Sequence, residues 1–327
     1  MTKITFGETS LQCQPEETLL EALLRENMRI PNGCRQGVCQ SCLMRSLDNS
    51  PPVSAQLGLK DTLQAQHYFL ACLCKPHQDM SVVLPDSQNS LFAANVIKKE
   101  RLNQEIVRLV LQSNSKLNFF AGQFINLQRP EDGLTRSYSI ANVPQQENLL
   151  ELHIRRLANG VFSTWVHDDL QLGMTVTISE AQGSCHYLPG KAEQPMLLIG
   201  TGSGLAPLVG IIHDALRQGH QGPIHLYHGS SHADGLYLVD KMRDMVDEFA
   251  NFHYTPCVSA ATADGPDYLK GRAHDVALQN NPDLKGWRVY LCGHPDMVSQ
   301  TKKMAYLKGA SLKDIYADAF YVAPAAQ

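Results

Sequence analysis

Several things are scarce or missing in this chain of 327 residues, and each absence narrows the chemistry. Charge of either sign is modest: the net is -4 with histidine neutral, so no basic field invites nucleic acid or an anionic membrane. Long apolar runs are missing too. The most apolar window, Met196 to Ile212, is interrupted by four glycines and a proline, which argues against a membrane span. The start, Met1-Thr2-Lys3-Ile4, lacks the apolar core of a signal peptide. Neither H-E-x-x-H nor a carboxylate cluster points to a hydrolytic metal site. The thirteen histidines are scattered, and Cys292-x-His294 has no matching Cys-x-x-His, which excludes a Rieske centre. His225 and His228, on or just beyond one strand, read as structural.

What is present begins with cysteine. Cys34, Cys39 and Cys42 stand at C-x4-C-x2-C spacing, and Cys72 follows after a gap of 29 residues. That is the plant-type spacing for a [2Fe–2S] cluster. Its short loop must wrap an inorganic core with backbone N–H groups aimed at sulfur, and Gly37 lets the chain turn there. The competing chemistry is a tetrahedral zinc site from Cys39 and Cys42 with Cys72 or Cys74. The remaining five cysteines, Cys13, Cys74, Cys185, Cys257 and Cys292, are scattered as expected in a reducing cytoplasm, where the chain is placed.

The length predicts two or three domains, and the pattern of the sequence changes twice along it. Ile4-Thr5-Phe6 and Leu11-Gln12-Cys13 predict a hairpin around Gly7-Glu8. Thr18 and Glu21 form a capping box opening a helix whose apolar face carries Leu20, Leu23, Leu24 and Met28, with Pro31 as its stop. The polar, proline-led run Pro85 to Ser90 reads as a linker. Beyond it, Ala94–Ile97, Ile106–Leu111, Phe124–Leu127, Leu149–Ile154 and Thr175–Ser179 predict a small antiparallel barrel. Gly160 to Thr164 reads as a loop entering a helix through Val166, whose free N–H groups suit a pyrophosphate. From Pro195, strand and helix alternate, which predicts a parallel sheet. Met196–Ile199 is a buried strand, Gly200-Thr201-Gly202-Ser203-Gly204 the loop after it, and Leu205–Gln218 a helix with Pro207 in its first turn. The G-x-G-x-x-G fingerprint is not met, since Leu205 takes the place of the third glycine and no acidic residue ends the next strand, Ile224–Tyr227.

These motifs together carry a resemblance. Strand, strand, helix and cysteine loop, with Phe69-Leu70-Ala71-Cys72, resemble bacterial [2Fe–2S] ferredoxin domains of the β-grasp fold (α+β), with Cys72 rather than Cys74 as the fourth ligand. Arg136-Ser137-Tyr138-Ser139, preceded by Ala121-Gly122-Gln123-Phe124 and followed by Gly160-Val161-Phe162-Ser163-Thr164, resembles the ferredoxin–NADP reductase-like flavoproteins. So do Gly-Thr-Gly-Ser-Gly-Leu-Ala-Pro-Leu from Gly200 and Cys292-Gly293-His294-Pro295-Asp296-Met297, where His294 replaces the usual first proline.

The resemblance implies a three-domain chain: a plant-type ferredoxin over 1–88, an FAD-binding antiparallel β-barrel over 89–190 and an NAD(P)-binding α/β domain over 191–327. It implies that Arg136 pairs with the flavin pyrophosphate, that Tyr138 stacks on the isoalloxazine and that Ser139 bonds near N5. His153, Ile154 and Arg155 match the strand beside the flavin. Gly160, Phe162, Ser163 and Thr164 match the phosphate-contacting turn. Gly200 to Gly204 match the nicotinamide dinucleotide loop, Cys292 and Gly293 the nicotinamide-side pair, and Asp318-x-Phe320 the acidic-x-aromatic terminus. FAD is expected over FMN. NADH is expected over NADPH, because Gly229-Ser230-Ser231-His232 offers no permanent positive charge to a 2′-phosphate. The domain order is similar to the reductase components of multicomponent oxygenases, of the benzoate dioxygenase and phenol hydroxylase kind. It implies electron flow from NADH through FAD and the cluster to a terminal oxygenase, with no nucleic acid or membrane partner. Two other readings stay open at this point: the same chain of carriers serving a separate ferredoxin or hybrid-cluster enzyme, and a non-catalytic redox sensor.

Overall fold

The computed structural model describes residues 2–32, 34–37, 40–48, 50–85, 91–144, 148–262 and 264–321. The chain divides into two units, Met1–Asn89 and Ser90–Gln327. Residues 86–90, most of the expected linker, lie outside the described residues, as does Cys39.

In the first unit, β1 (Thr2–Phe6) and β2 (Thr9–Cys13) form the expected hairpin. Helix α1 (Leu19–Arg25) starts at a complete capping box, with Thr18 and Glu21 satisfying each other's backbone N–H. It ends earlier than Pro31, the stop expected from the sequence. Asn27 adopts φ 59, and the N–H groups of Met28 and Asn27 reach back to Leu23 and Leu24, a left-handed stop of the Schellman type. Leu24 and Met28 still pack on the core, although Met28 stands beyond the helix. Strands β3 (Leu43–Ser46), β4 (Tyr68–Leu70) and β5 (Met80–Val83), with helix α2 (Asp61–Ala65) before β4, complete a sheet of order β2-β1-β5-β3-β4. β1 and β5 run parallel at its centre. Leu19, Leu20 and Leu23 lie against this sheet with Ile4, Met44 and Phe69, all fully buried.

The second unit begins with β6 (Leu91–Arg101), β7 (Ile106–Ser113), β8 (Phe124–Gln128), β9 (Thr135–Ser139), β10 (Leu149–Arg155), helix α3 (Val161–Asp168) and β11 (Thr175–Ser179). The sheet order is β10-β7-β6-β11-β8-β9, and a bridge between Ile140 and Leu152 joins the two outer strands. The sheet thereby closes into a barrel, with Phe162, Trp165 and Val166 of α3 buried in its core. Strand β9 was not expected. Its sequence, Thr-Arg-Ser-Tyr-Ser, shows no apolar alternation, yet it pairs with β8 from Phe124–Ser139 to Gln128–Thr135.

The rest is α/β: β12 (Met196–Thr201), α4 (Leu205–Arg217), β13 (Ile224–Ser230), α5 (Val239–Glu248), β14 (Phe252–Val258), β15 (Leu269–Lys270), α6 (Ala273–Asn280), β16 (Arg288–Gly293), α7 (Pro295–Leu307) and β17 (Ile315–Ala319). All strands are parallel, in the order β15-β14-β13-β12-β16-β17. The order reverses between β12 and β16, and in such sheets ligands bind outside the carboxyl ends of the strands at that point. Two of the expected loop residues, Gly200 and Thr201, prolong β12, while Gly202–Gly204 form a 3₁₀ turn. His225 and His228 both sit within β13, bonded to Asn281 and Tyr254 at 3.1 and 3.2 Å, so the structural reading of both holds.

Candidate functional site

Three sites can be built from the residues upward. The first is the cysteine loop. Arg35, Gly37 and Gln40 all have positive φ, at 54°, 78° and 56°, so the described stretches 34–37 and 40–42 turn tightly. Only glycine takes such a turn readily. At Gly37 a side chain would also strike Leu73 at 2.5 Å. The coil turns N–H groups towards sulfur: Gln36 donates to Cys34 Sγ at 3.4 Å, and Gly37 donates to Cys72. Burial, the Cys42 thiol and the nearby Cys34 push the Cys72 thiol up to about 11. Without a cation beside it that thiol stays protonated at neutral pH, as ordinary thiols largely do, and the inward N–H groups suit a cluster's sulfurs. Cys74 points elsewhere. It is fully buried in the core with Cys13, and burial pushes its thiol to about 12.

The second site lies along the barrel seam. Beyond the bridge from Ile140 to Leu152, strands β9 and β10 share no ladder among the described residues. The edge groups of Tyr138 and Ser139 therefore face those of His153 and Ile154 across an open slot. Unpaired strand edges call for partners, and a flat heterocycle with alternating donors and acceptors fits that need. Tyr138 stands half-buried at the slot, its ring 5.8 Å from that of Phe162, and burial keeps its phenol protonated far above neutrality. Arg136 is half-buried, bonds only to the Thr135 carbonyl at 2.7 Å and has no carboxylate partner among the described residues. A guanidinium in that position suits a phosphate. Gly160 caps α3 without a side-chain bond, which leaves the N–H groups of the first turn for an anion.

Several side chains at this site are engaged otherwise than the resemblance implied. The Ser163 hydroxyl accepts from Leu157 N–H at 3.1 Å and donates to the Gly160 carbonyl at 3.0 Å, which holds the loop rather than facing outward. Ile154 and Phe162 lie in the barrel core. His153 is buried, with Nδ1 3.1 Å from Tyr237 Oη and Nε2 3.0 Å from Glu151. Burial lowers its pKa, so it stays neutral. Glu151 also takes Arg108 at 2.5 Å. Burial alone would raise Glu151, but hydrogen bonds from His153 and Arg108 win and hold it at about 2. This Arg108–Glu151–His153–Tyr237 chain escaped sequence reasoning, since His153 and Tyr237 stand 84 residues apart and no motif links them. Thr164 is half-buried on the first turn of α3. Arg155 is paired with Glu105 at 2.8 Å, and its guanidinium lies beside Gly202.

The third site is the switch point of the parallel sheet. A Cβ on Gly204 would sit 2.3 Å from the Cys292 carbonyl oxygen, and one on Gly293 (φ +122) 2.6 Å from Thr201 Oγ1. Thr201 Oγ1 in turn accepts from His294 N–H at 3.1 Å. Gly202, by contrast, has nothing nearer than 3.6 Å, which marks an open cradle. Gly200 packs on Leu208 and the 3₁₀ turn, and Ser203 stands in that turn. His294, in place of proline, caps α7 by accepting from Asp296 N–H.

Beside the slot, barrel and parallel sheet are joined by a hydrogen bond between side chains. Ser139 Oγ donates to Asp318 Oδ2 at 2.9 Å across 179 residues of sequence. Burial raises the Asp318 carboxyl and the serine bond offsets part of that. Asp318 is opposite Cys292 in the β16–β17 ladder, and Phe320 N–H donates to the Gly293 carbonyl at 2.8 Å. The Cys292 sulfur is fully buried, 3.8 Å from that of Cys185, a neighbour that no sequence signal announced. Ser139 of the barrel is thus linked to Asp318, Cys292 and Phe320 of the parallel sheet, while Tyr138, next to it, packs on Phe162.

Comparison with known proteins fits this geometry. A 2Fe-2S iron–sulfur cluster binding domain matches residues 4–77, an oxidoreductase FAD-binding domain residues 93–187 and an oxidoreductase NAD-binding domain residues 198–303. The reductase subunit of an aromatic O-demethylase from Amycolatopsis sp. is 33% identical over 332 residues, covering 97% of this chain and 98% of that one. The chain belongs to the [2Fe–2S] flavoprotein reductases. The reductase carries a [2Fe–2S] cluster and FAD and takes a nicotinamide dinucleotide, so the zinc alternative and FMN both fall away. It is also 30% identical to the phenol hydroxylase P5 protein of Acinetobacter pittii, covering 95% and 92% of the two chains. The crystal structure of the Amycolatopsis cytochrome P450 reductase GcoB superposes with a TM-score of 0.69 at 31% identity, covering 98% of this chain and 99% of that one. Among the described residues, no helix of the reductase is long and apolar enough to cross a membrane.

Proposed function

We propose that this reductase supplies single electrons, drawn from NADH through FAD and the [2Fe–2S] cluster, to the terminal component of a multicomponent oxygenase in the cytoplasm. When bound, the flavin takes two electrons from the nicotinamide and the cluster carries them onward singly. The observation that carries the reading is the Ser139–Asp318 bond. It ties the barrel slot to the nicotinamide switch point, with Cys292, Gly293 and Phe320 around it. No acid or base need intervene, so the chain's own residues act by alignment and by excluding water.

In this reading Arg136 and the N–H groups of Val161, Phe162 and Ser163 hold the pyrophosphate. Those of Gly160 and Thr164 bond the Leu157 and Gly160 carbonyls and, with the Ser163 hydroxyl, fix the loop. Tyr138 covers the ring, Ser139 orients its reactive edge, and the backbone of His153 and Ile154 borders the slot. Gly200 to Gly204 receive the dinucleotide, Arg155 lies beside its path, and Cys292 with Gly293 floors the nicotinamide pocket. Cys34, Cys39, Cys42 and Cys72 ligate the cluster. The functional boundaries are taken as 1–88, 89–190 and 191–327. NADH is preferred because β13 ends at Ser230 without a cation, and Arg243 on the following helix is paired with Asp267 at 2.6 Å.

An oxygenase acceptor agrees with the relatives, an aromatic O-demethylase reductase subunit and a phenol hydroxylase protein. The test is affinity capture with the holo-reductase as bait under reducing conditions, followed by NADH oxidation assays with the captured protein. The reading expects an oxygenase component whose metal centre is reduced only when NADH and reductase are both present. Capture of a separate ferredoxin that accepts the electrons as fast would contradict it.

A further inference from the structure

We propose that the cleft between the barrel wall and helices α4 and α5 binds an amphipathic organic carboxylate, at a site separate from flavin and nicotinamide. The cleft encloses about 410 Å³, within the range of small-molecule pockets. One side is the barrel, through Arg108 and Glu151 and the turn after β9; the other is α4 and α5.

Its charge is unbalanced. Arg108, Arg217 and Lys241 line it against the single carboxylate of Glu151, and Glu151 is already held by Arg108 and His153. Lys241 has no carboxylate partner among the described residues, and its charge helps to lower both His153 and His213. Arg217 reaches Asp214 only at 3.6 Å and otherwise bonds the Pro144 carbonyl. An anionic head reaching Lys241 and Arg217 would find two donors, one unpaired and one held only by a 3.6 Å contact to Asp214 and the Pro144 carbonyl. Apart from Asn142 and His213, the rest of the wall is apolar, with Val143, Val209, Leu216 and Phe249. That surface gains nothing from inorganic phosphate and favours an aromatic or branched hydrocarbon body. His213 lies eight residues beyond Leu205, so along α4 the cleft is about 12 Å from the nicotinamide turn.

The probe is phenylacetate, titrated calorimetrically into holo-reductase saturated with NAD⁺ so that the nicotinamide pocket is filled. The expected result is one site with a Kd on the order of 1 mM. Lys241→Gln and Arg217→Gln should each weaken it about fivefold, the usual worth of one exposed charge pair. Both variants should keep wild-type NADH oxidation, since neither residue belongs to the electron-transfer centres. Benzyl alcohol and inorganic phosphate should bind at least about tenfold more weakly than phenylacetate. The proposal is overturned by an absence of saturable heat with wild-type protein, or by affinity unchanged in both variants. Phosphate binding as tightly as phenylacetate would overturn it too, as would binding seen only when NAD⁺ is left out.

Discussion

The cysteine loop and the flavin–nicotinamide junction do comparable work by opposite means. In the loop, Cys34, Cys39 and Cys42 lie within nine residues of sequence, and chemistry resides in the ligands themselves. At the junction, Ser139 and Asp318 meet across 179 residues, and Gly204 presses on Cys292 from a different loop. No single side chain there is chemically special; position is what matters. The first kind of site tolerates a loose surrounding fold and no loss of a ligand. The second tolerates conservative change in one residue and no shift of backbone.

The sharpest break of this contrast is a pair of serine variants. Cys72→Ser should abolish the cluster's visible absorption and delivery to one-electron acceptors, while NADH still bleaches the flavin in anaerobic optical titration. Cys74→Ser should keep the cluster and cost only stability, about 1–3 kcal/mol for a hydroxyl buried in place of a thiol, read from the denaturation midpoint. If the two phenotypes were exchanged, the ligand assignment would be wrong.

Next comes Gly204→Ala. Its new methyl would stand 2.3 Å from the Cys292 carbonyl, so the two loops must part, costing about 1–3 kcal/mol and weakening NADH binding. Gly202→Ala has open space but a φ of +53, and strain of about 1–2 kcal/mol is its only folding cost. Comparing their thermal midpoints with their KM for NADH separates packing from cofactor approach.

A smaller effect is expected from Asp318→Asn, which keeps the shape and removes the charge facing Ser139. Flavin reduction by NADH should slow about tenfold, and Ser139→Ala combined with it should add little, because the pair acts as one unit. Additive losses in stopped-flow rates would show the bond to be incidental.

The mildest test concerns pH. His228, inside β13, is held by burial at about 3, against 6.5 unfolded. Between those values the unfolded chain binds a proton that the folded one refuses, so stability falls as pH drops from 6.5 towards 3. His228→Phe should flatten that slope by about 1.4 kcal/mol per pH unit, measured by urea unfolding between pH 4.5 and 6.5. An unchanged slope would place the proton uptake on another group.

The same contrast explains what was legible in the sequence. Local rules carried the cysteine loop, the capping box at Thr18 and the parallel strands. The end of α1 was misjudged because Asn27 stops it with a left-handed turn, a conformation Asn takes less often than Gly but more readily than most other residues. Strand β9 went unseen because its five residues, Thr-Arg-Ser-Tyr-Ser, show no apolar alternation. The buried chain from Arg108 to Tyr237 and the Cys185 neighbour of Cys292 were invisible for a plainer reason. Their partners are set by how barrel and sheet pack, and no spacing in the sequence records that.

The central claim is that one folded chain turns electron pairs from the nicotinamide into single electrons at the cluster. Anaerobic stopped-flow mixing with NADH, followed at flavin and cluster wavelengths and by freeze-quench EPR, tests it directly. The account predicts flavin bleaching first, then a rhombic signal averaging below g = 2 ~ the free-electron value, rising at a rate independent of protein concentration. A cluster that stays oxidised, or a rate proportional to protein concentration, would contradict it.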